Sequence, residues 1–156
     1  MAKEMNDILV ADDNQVLTSV LAEIFRESGY TVRTASDGFA ALTSIRERVP
    51  EVLISDLNMP RMSGFELLSI VRRRFPSIAV IAMSGSYSGV TVPQGIAADA
   101  FYAKGSTSVA RFSRYCVQSK MRERAVPSVP RRQFGYPVFR STMAVSRPSR
   151  SRVRSV

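Results

Sequence analysis

Short runs of branched apolar residues alternate with stretches of helical periodicity along the first 125 residues, and most of the apolar runs stop at a polar side chain. The runs are "DILVAD" (7–12), "YTVRTA" (30–35), "EVLISD" (51–56), "SIAVIAMS" (77–84) and "DAFYAK" (99–104). Each is too short for a buried helix, and its β-branched or aromatic residues suit a strand. Between them, apolar residues recur every three or four positions, which places them on one helical face. Residues 14–29 carry Leu17, Leu21, Ile24 and Phe25, with Gly29 as the stop. Residues 36–49 carry Ala41, Leu42, Ile45 and Val49, ended by Pro50; residues 63–75 carry Leu67, Leu68, Val71 and Phe75. A last helix is expected over 106–125, with Val109, Phe112 and Cys116 in register.

Strand–helix alternation of this kind predicts an α/β fold, a parallel sheet with helices on both faces. One connection departs from it. "GSYSGVTVPQGIAA" (85–98) holds three glycines and a proline, so its helix is expected to be short or irregular.

The charge divides the chain. Residues 1–110 hold 10 Lys+Arg against 12 Asp+Glu, whereas 111–156 hold 12 against one, Glu123. The net +9 is therefore the property of one end. A domain over 6–125 is expected, followed by a basic Arg/Ser/Pro-rich tail over 126–156 whose composition predicts disorder. The tail reads as a passive end, as an accidental extension, or as a segment binding nucleic acid or an acidic partner through arginines interleaved with Phe134, Tyr136 and Phe139. "RRR" (72–74) at a helix end reads as a solvated, dipole-matched terminus.

Several chemistries are excluded. With no histidine, the chain has no His-based triad and carries no phosphohistidine. A metal would rest on oxygen ligands, which favours Mg²⁺, Mn²⁺ or Ca²⁺. The single cysteine, Cys116, rules out an intrachain disulfide and reads as a core residue. No apolar run approaches the ~20 residues of a membrane helix, and the N-terminus lacks signal-peptide features. A cytoplasmic protein without membrane insertion is expected.

In a parallel sheet all carboxyl ends lie on one edge, where ligands of open α/β sheets bind. That edge would gather Asp12-Asp13, Asp56, Ser84 and Lys104. Three carboxylates repel unless a cation neutralises them, and an open oxygen site suits Mg²⁺. An aspartate can itself attack phosphorus to form an acyl phosphate, with metal and lysine stabilising the charge. Taken singly, the same residues have plainer readings. An Asp pair often caps a helix, Asp56 could close a turn, Ser84 and Lys104 are common loop and surface residues, and Phe101 and Tyr102 could simply pack.

"ILVADD", "LISDLNMP", "IAMSG" and "FYAKG", in this order, resemble the receiver domain of two-component response regulators over roughly residues 6–122. The resemblance implies a flavodoxin-like doubly wound five-stranded parallel sheet in the order 2-1-3-4-5. It implies that Asp56 is the phosphoacceptor and that Asp13 holds Mg²⁺ directly and Asp12 through water. Asp56 and the backbone carbonyl of Asn58 would complete that metal site. Ser84 would be the switch hydroxyl, Lys104 the partner of phosphate or of Asp56, and Phe101 the aromatic whose rotamer follows the switch. Pro60 and Gly64 would shape the turn and the next helix start. Gly105 stands where the family usually has proline, and the 85–98 segment is short.

The expected function is a stand-alone phosphorelay receiver, a signalling module rather than an enzyme. A histidine kinase or histidine phosphotransfer protein would phosphorylate it, and the downstream protein partner is left open. The alternatives are a nucleic-acid-binding regulator acting through the tail, or a phosphatase with Asp56 as nucleophile. Asn58 counts against the phosphatase, which would need an acid two residues after the nucleophile.

Overall fold

A computed structural model of the chain describes residues 7–87, 92–106, 108–114 and 116. Five strands, β1 (Asp7–Ala11), β2 (Thr31–Ala35), β3 (Val52–Asp56), β4 (Ala79–Ser84) and β5 (Ala100–Ala103), form one parallel sheet. Its order is β2-β1-β3-β4-β5, the order expected from the resemblance. The helices are α1 (Gln15–Glu27), α2 (Gly38–Glu47) and α3 (Gly64–Arg74). Residues 109–114 are also helical. The described parts of 85–98 contain turn and irregular backbone without a helix. The expected tail over 126–156, and the end of the helix expected over 106–125, lie outside the described residues.

Strand alternation builds two cores. Side chains of successive strand residues point to opposite faces. Leu9 and Ala11 of β1 join Leu53 of β3 and Val80 and Ala82 of β4 on the side of α2 and α3, where Ala41, Leu42, Ile45, Leu67, Leu68 and Val71 cover them. Ile8, Val10, Val52, Ile54, Ile81 and Met83 face the other way, toward Leu21, Ala22 and Phe25 of α1 and toward Phe112 and Cys116. Both faces of β3 are therefore buried, which explains its unbroken apolar sequence. Each fully buried Leu or Ile contributes about 1.5–3 kcal/mol. Tyr102 stacks on Phe112, with ring centroids 4.0 Å apart, and so ties β5 to the helical segment.

Helix starts follow local chemistry. Asn14 caps α1, its side chain accepting from the Leu17 N–H, and Asp37 caps α2 by accepting from Ala40. Ser63 and Glu66 form a reciprocal capping box at α3. The Ser63 hydrogen bonds hold the Glu66 carboxyl below the usual carboxylate range. Replacing Ser63 by Ala is expected to lower stability by about 1 kcal/mol, read as a fall in the urea midpoint at unchanged m-value.

One helix-face expectation fails. Val49, read as part of the apolar face of the second helix, is 46% exposed. The helix stops at Glu47, and Arg48 is already extended at φ −151° and ψ 120°. The residue before a proline is pushed out of the helical region, and here that residue is Val49. Arg48 instead turns its guanidinium to Asp7, which also pairs with Arg33, and this clamps the sheet at its amino end.

Candidate functional site

The carboxyl edge of the sheet gathers the polar strand ends. Asp12 follows β1, Asp56 ends β3, Ser84 ends β4 and Lys104 follows β5. The register pairs Asp56 with Met83 and Ser84 with Ala103, which brings these ends level. Carboxylate oxygens of Asp12, Asp13 and Asp56 all lie within 4.8 Å of one another. Asp12 and Asp56 are buried and Asp13 is exposed, so the cluster has a closed floor and an open mouth.

The plainer reading of the Asp pair does not describe what these residues do. Asn14 is the N-cap of α1, so neither Asp12 nor Asp13 is spent on that task. Asp12 Oδ1 accepts from the Asn14 N–H at 2.9 Å. Its other oxygen, Oδ2, is buried and accepts no aligned hydrogen bond, although the Lys104 ammonium stands 2.6 Å away. That contact is a charge pair without good hydrogen-bond alignment. Lys104 also reaches Asp56 Oδ2 at 3.2 Å, so one ammonium bridges two carboxylates.

Electrostatics follow from burial. Desolvation holds the Asp56 carboxyl above its ordinary pKa, and the Asp12 charge pushes the same way; Lys104 and a backbone hydrogen bond at Asn58 oppose them. Burial alone would depress the Lys104 ammonium. Its close contact with Asp12 and the charges of Asp12 and Asp56 outweigh that, and its pKa is raised. Three carboxyl groups thus face a single ammonium, so the ionised cluster has an excess of negative charge. Hard oxygen donors, an unaligned buried oxygen on Asp12 and that excess charge fit a divalent cation of the Mg²⁺ type.

The fourth strand supplies the other lip. Ser84 is fully buried, and its Oγ accepts from the Ser86 N–H at 3.1 Å and from Asn58 Nδ2 at 3.4 Å. Asn58 Nδ2 also donates to Ser86 Oγ at 3.2 Å. Asn58 thus spans the mouth from the loop after β3 to the loop after β4. Ser86 is absent from the residues singled out in the sequence. Its only signal was its place two residues beyond Ser84, on a loop where no periodicity marks function. Phe101 is half-buried and meets Tyr87 edge to face at 6.4 Å between centroids.

Two loop features hold Asp56 in place. Gly64, at the start of α3, packs so closely that a Cβ there would lie 2.0 Å from the Asp56 carbonyl oxygen. Its N–H donates to the Leu57 carbonyl at 3.0 Å. Arg61 adopts a positive φ of 68°, pairs with Asp37 at 3.2 Å and lies over the Phe39 ring. The loop carrying Asn58 is thereby pinned to the start of α2.

Comparison with known proteins gives a consistent picture. The family profile described as response regulator receiver domain matches residues 8–103. The nitrogen assimilation regulatory protein NtrX of Azorhizobium caulinodans is 38% identical over 82 residues, covering 51% of this chain and 18% of that protein. The sensor histidine kinase RcsC of Salmonella typhimurium is 32% identical over 79 residues, covering 51% of this chain but 8% of its own length. The chain therefore spans a fifth or less of these two relatives. Among solved structures, the response regulator TrrA from Thermotoga maritima, in complex with Mg²⁺ and BeF, superposes with a TM-score of 0.63 at 28% identity. That match covers 75% of this chain and 98% of the other.

Proposed function

The chain belongs to the response regulator receiver domain family, phosphoacceptor modules of two-component signalling, and on that premise we propose that Asp56 is its phosphorylated residue. The observation that carries this assignment is the Lys104 ammonium held between Asp12 and Asp56, at 2.6 and 3.2 Å, beside a third carboxylate, Asp13.

The chain has no histidine, so the phosphoryl group comes from another protein, a histidine kinase or a histidine phosphotransfer protein. An Asp56 carboxylate oxygen forms a bond to the phosphorus of the donor's phosphohistidine. The phosphorus–nitrogen bond breaks, its electron pair stays on the imidazole, and that nitrogen takes a proton from water. The product is an acyl phosphate. The sheet edge presents Asp56 at a fixed position, which lowers the entropic cost of the encounter. Lys104 neutralises charge on the transferring group.

Asp12, Asp13, Asp56 and the Asn58 carbonyl would hold Mg²⁺, which supplies further charge neutralisation when bound. Ser84 then exchanges its contacts with Asn58 and Ser86 for a hydrogen bond to a phosphoryl oxygen. Phe101, beside Tyr87, follows that movement and reports it to a partner surface. The module signals rather than turns over a substrate, and it works in the cytoplasm. Among the described residues, no helix is long and apolar enough to cross a membrane. The receiver unit spans 6–125, and residues 126–156 stand apart from the reaction. Nucleic-acid binding, if the full chain has it, belongs to that basic segment, and removing 126–156 is expected to abolish it while leaving phosphorylation intact.

Incubation with Mg²⁺ and phosphoramidate is expected to add one phosphoryl group by intact mass, labile to hydroxylamine. Chelation of the metal or Asp56→Asn is expected to prevent it. An adduct of equal yield in Asp56→Asn would overturn the assignment.

A further inference from the structure

Lys104 is anchored on one side only by the sheet. Its N–H donates to the Ser84 carbonyl at 2.8 Å, which closes the β4–β5 pairing. Beyond it the chain reverses. The Ser106 N–H donates to the Ala103 carbonyl at 3.0 Å, and the Ser106 hydroxyl donates to the same oxygen at 2.7 Å. Residues 103–106 thus form a β-turn with Lys104 second and Gly105 third. Gly105 has φ +86°, the value that the third position of a type II turn requires. A Cβ at Gly105 would meet nothing within 4 Å. The position is therefore constrained by backbone conformation and not by space.

We propose that this turn, through the left-handed backbone of Gly105, sets the Lys104 ammonium between Asp12 and Asp56, making Gly105 a positioning residue for phosphoryl transfer. The proposal rests on the phosphoacceptor reading above. A side chain that disfavours positive φ forces the chain to leave Lys104 in another direction. Both Ser106 contacts to Ala103 are then lost, and the lysine stem loses the anchor on its far side. The ammonium must span from that stem to two carboxylates on neighbouring strands, so a small change at its root displaces it from one of them. Asparagine tolerates the left-handed region, whereas alanine does not. The two substitutions consequently separate backbone conformation from the mere loss of glycine.

The test compares the parent chain, Gly105→Ala and Gly105→Asn by the rate of adduct formation from saturating phosphoramidate with Mg²⁺. It adds Mn²⁺ half-saturation by electron paramagnetic resonance. Gly105→Ala is expected to slow adduct formation about fivefold to tenfold, and Gly105→Asn to stay within about twofold of the parent. Mn²⁺ half-saturation is expected not to weaken in any of the three, since the carboxylates are untouched and a displaced ammonium competes less for them. In a Lys104→Ala background, Gly105→Ala is expected to cost nothing further, as an effect exerted through the lysine requires. Equal slowing by Ala and Asn, a parent-like rate in Gly105→Ala, or Mn²⁺ binding that weakens in step with the rate would overturn the proposal. If the parent itself gains no adduct, the phosphoacceptor reading falls first and takes this role of Gly105 with it.

Discussion

Gly64→Ala is expected to destabilise the protein by about 3 kcal/mol or more, lowering the melting temperature by roughly 10–15 °C. The added methyl would lie 2.0 Å from the Asp56 carbonyl oxygen and 2.7 Å from the Leu57 Cα. Both neighbours are backbone, so no side chain can swing away. The start of α3 must move off the end of β3, and the Gly64 N–H bond to the Leu57 carbonyl is lost with it. Because β3 is buried on both faces, its end cannot shift to absorb the strain. Gly85→Ala serves as the control, since its Cβ would lie 4.0 Å from Lys104 Cβ, in ordinary contact. That variant is expected to stay within about 0.5 kcal/mol of the parent. Thermal unfolding of both variants checks the contrast, and a Gly64→Ala protein within 1 kcal/mol of the parent would show that the loop packs differently.

The second large effect runs in the opposite direction. In cation-free buffer at pH 7, Asp56→Asn is expected to be more stable than the parent. The Asp56 carboxyl is raised above its ordinary pKa, first by burial and then by the Asp12 charge. The folded state therefore holds its proton more tightly than the unfolded state does. The associated stability is fully present below the unfolded pKa and is lost as pH rises through the raised folded value. Above that raised value the carboxylate is charged in a buried site, and the amide avoids that cost. The gain is on the order of 1 kcal/mol, because relief from burying the charge and from Asp12 is partly offset by the lost attraction to Lys104. Saturating Mg²⁺ reverses the order. A ligand that binds only the folded parent adds about 2.7 kcal/mol at a hundred times its Kd, and the variant lacks one of the carboxylates that bind it. Denaturant midpoints of both proteins, with and without Mg²⁺, measure all four quantities. A variant that is less stable without the cation, or equally shifted by it, contradicts this account of the pocket.

Much of the arrangement is legible in the amino-acid sequence, for identifiable reasons. Branched apolar runs and helical spacing carry their own periods, so the five strands and three helices emerge within a few residues of their observed bounds. Polar residues ending those runs had to share an edge once the sheet was parallel, and Asp12, Asp13, Asp56, Ser84 and Lys104 do share it. What escaped has no period. The Asp7 clamp joins residues 26 and 41 positions apart, and only the register of β1 with β2 brings Arg33 to it. The capping of α1 by Asn14 rather than by the Asp pair depended on one residue of offset at the helix start. Ser86 lies on a loop, and its contact with Asn58 depends on two loops meeting. Lys104 could be assigned to Asp56 from the resemblance, but its shorter contact is with Asp12, a consequence of how the 103–106 turn aims the side chain.

Borohydride trapping reads directly whether Asp56 is the acceptor within this cluster. Reduction of an acyl phosphate converts the aspartate to homoserine, which peptide mass spectrometry locates to a single position. After treatment with Mg²⁺ and phosphoramidate, homoserine is expected at residue 56, with unmodified aspartate at 12 and 13 and no conversion when the metal is chelated. Homoserine at Asp12 or Asp13, or conversion at residue 56 independent of metal, would contradict the assignment of roles around the pocket.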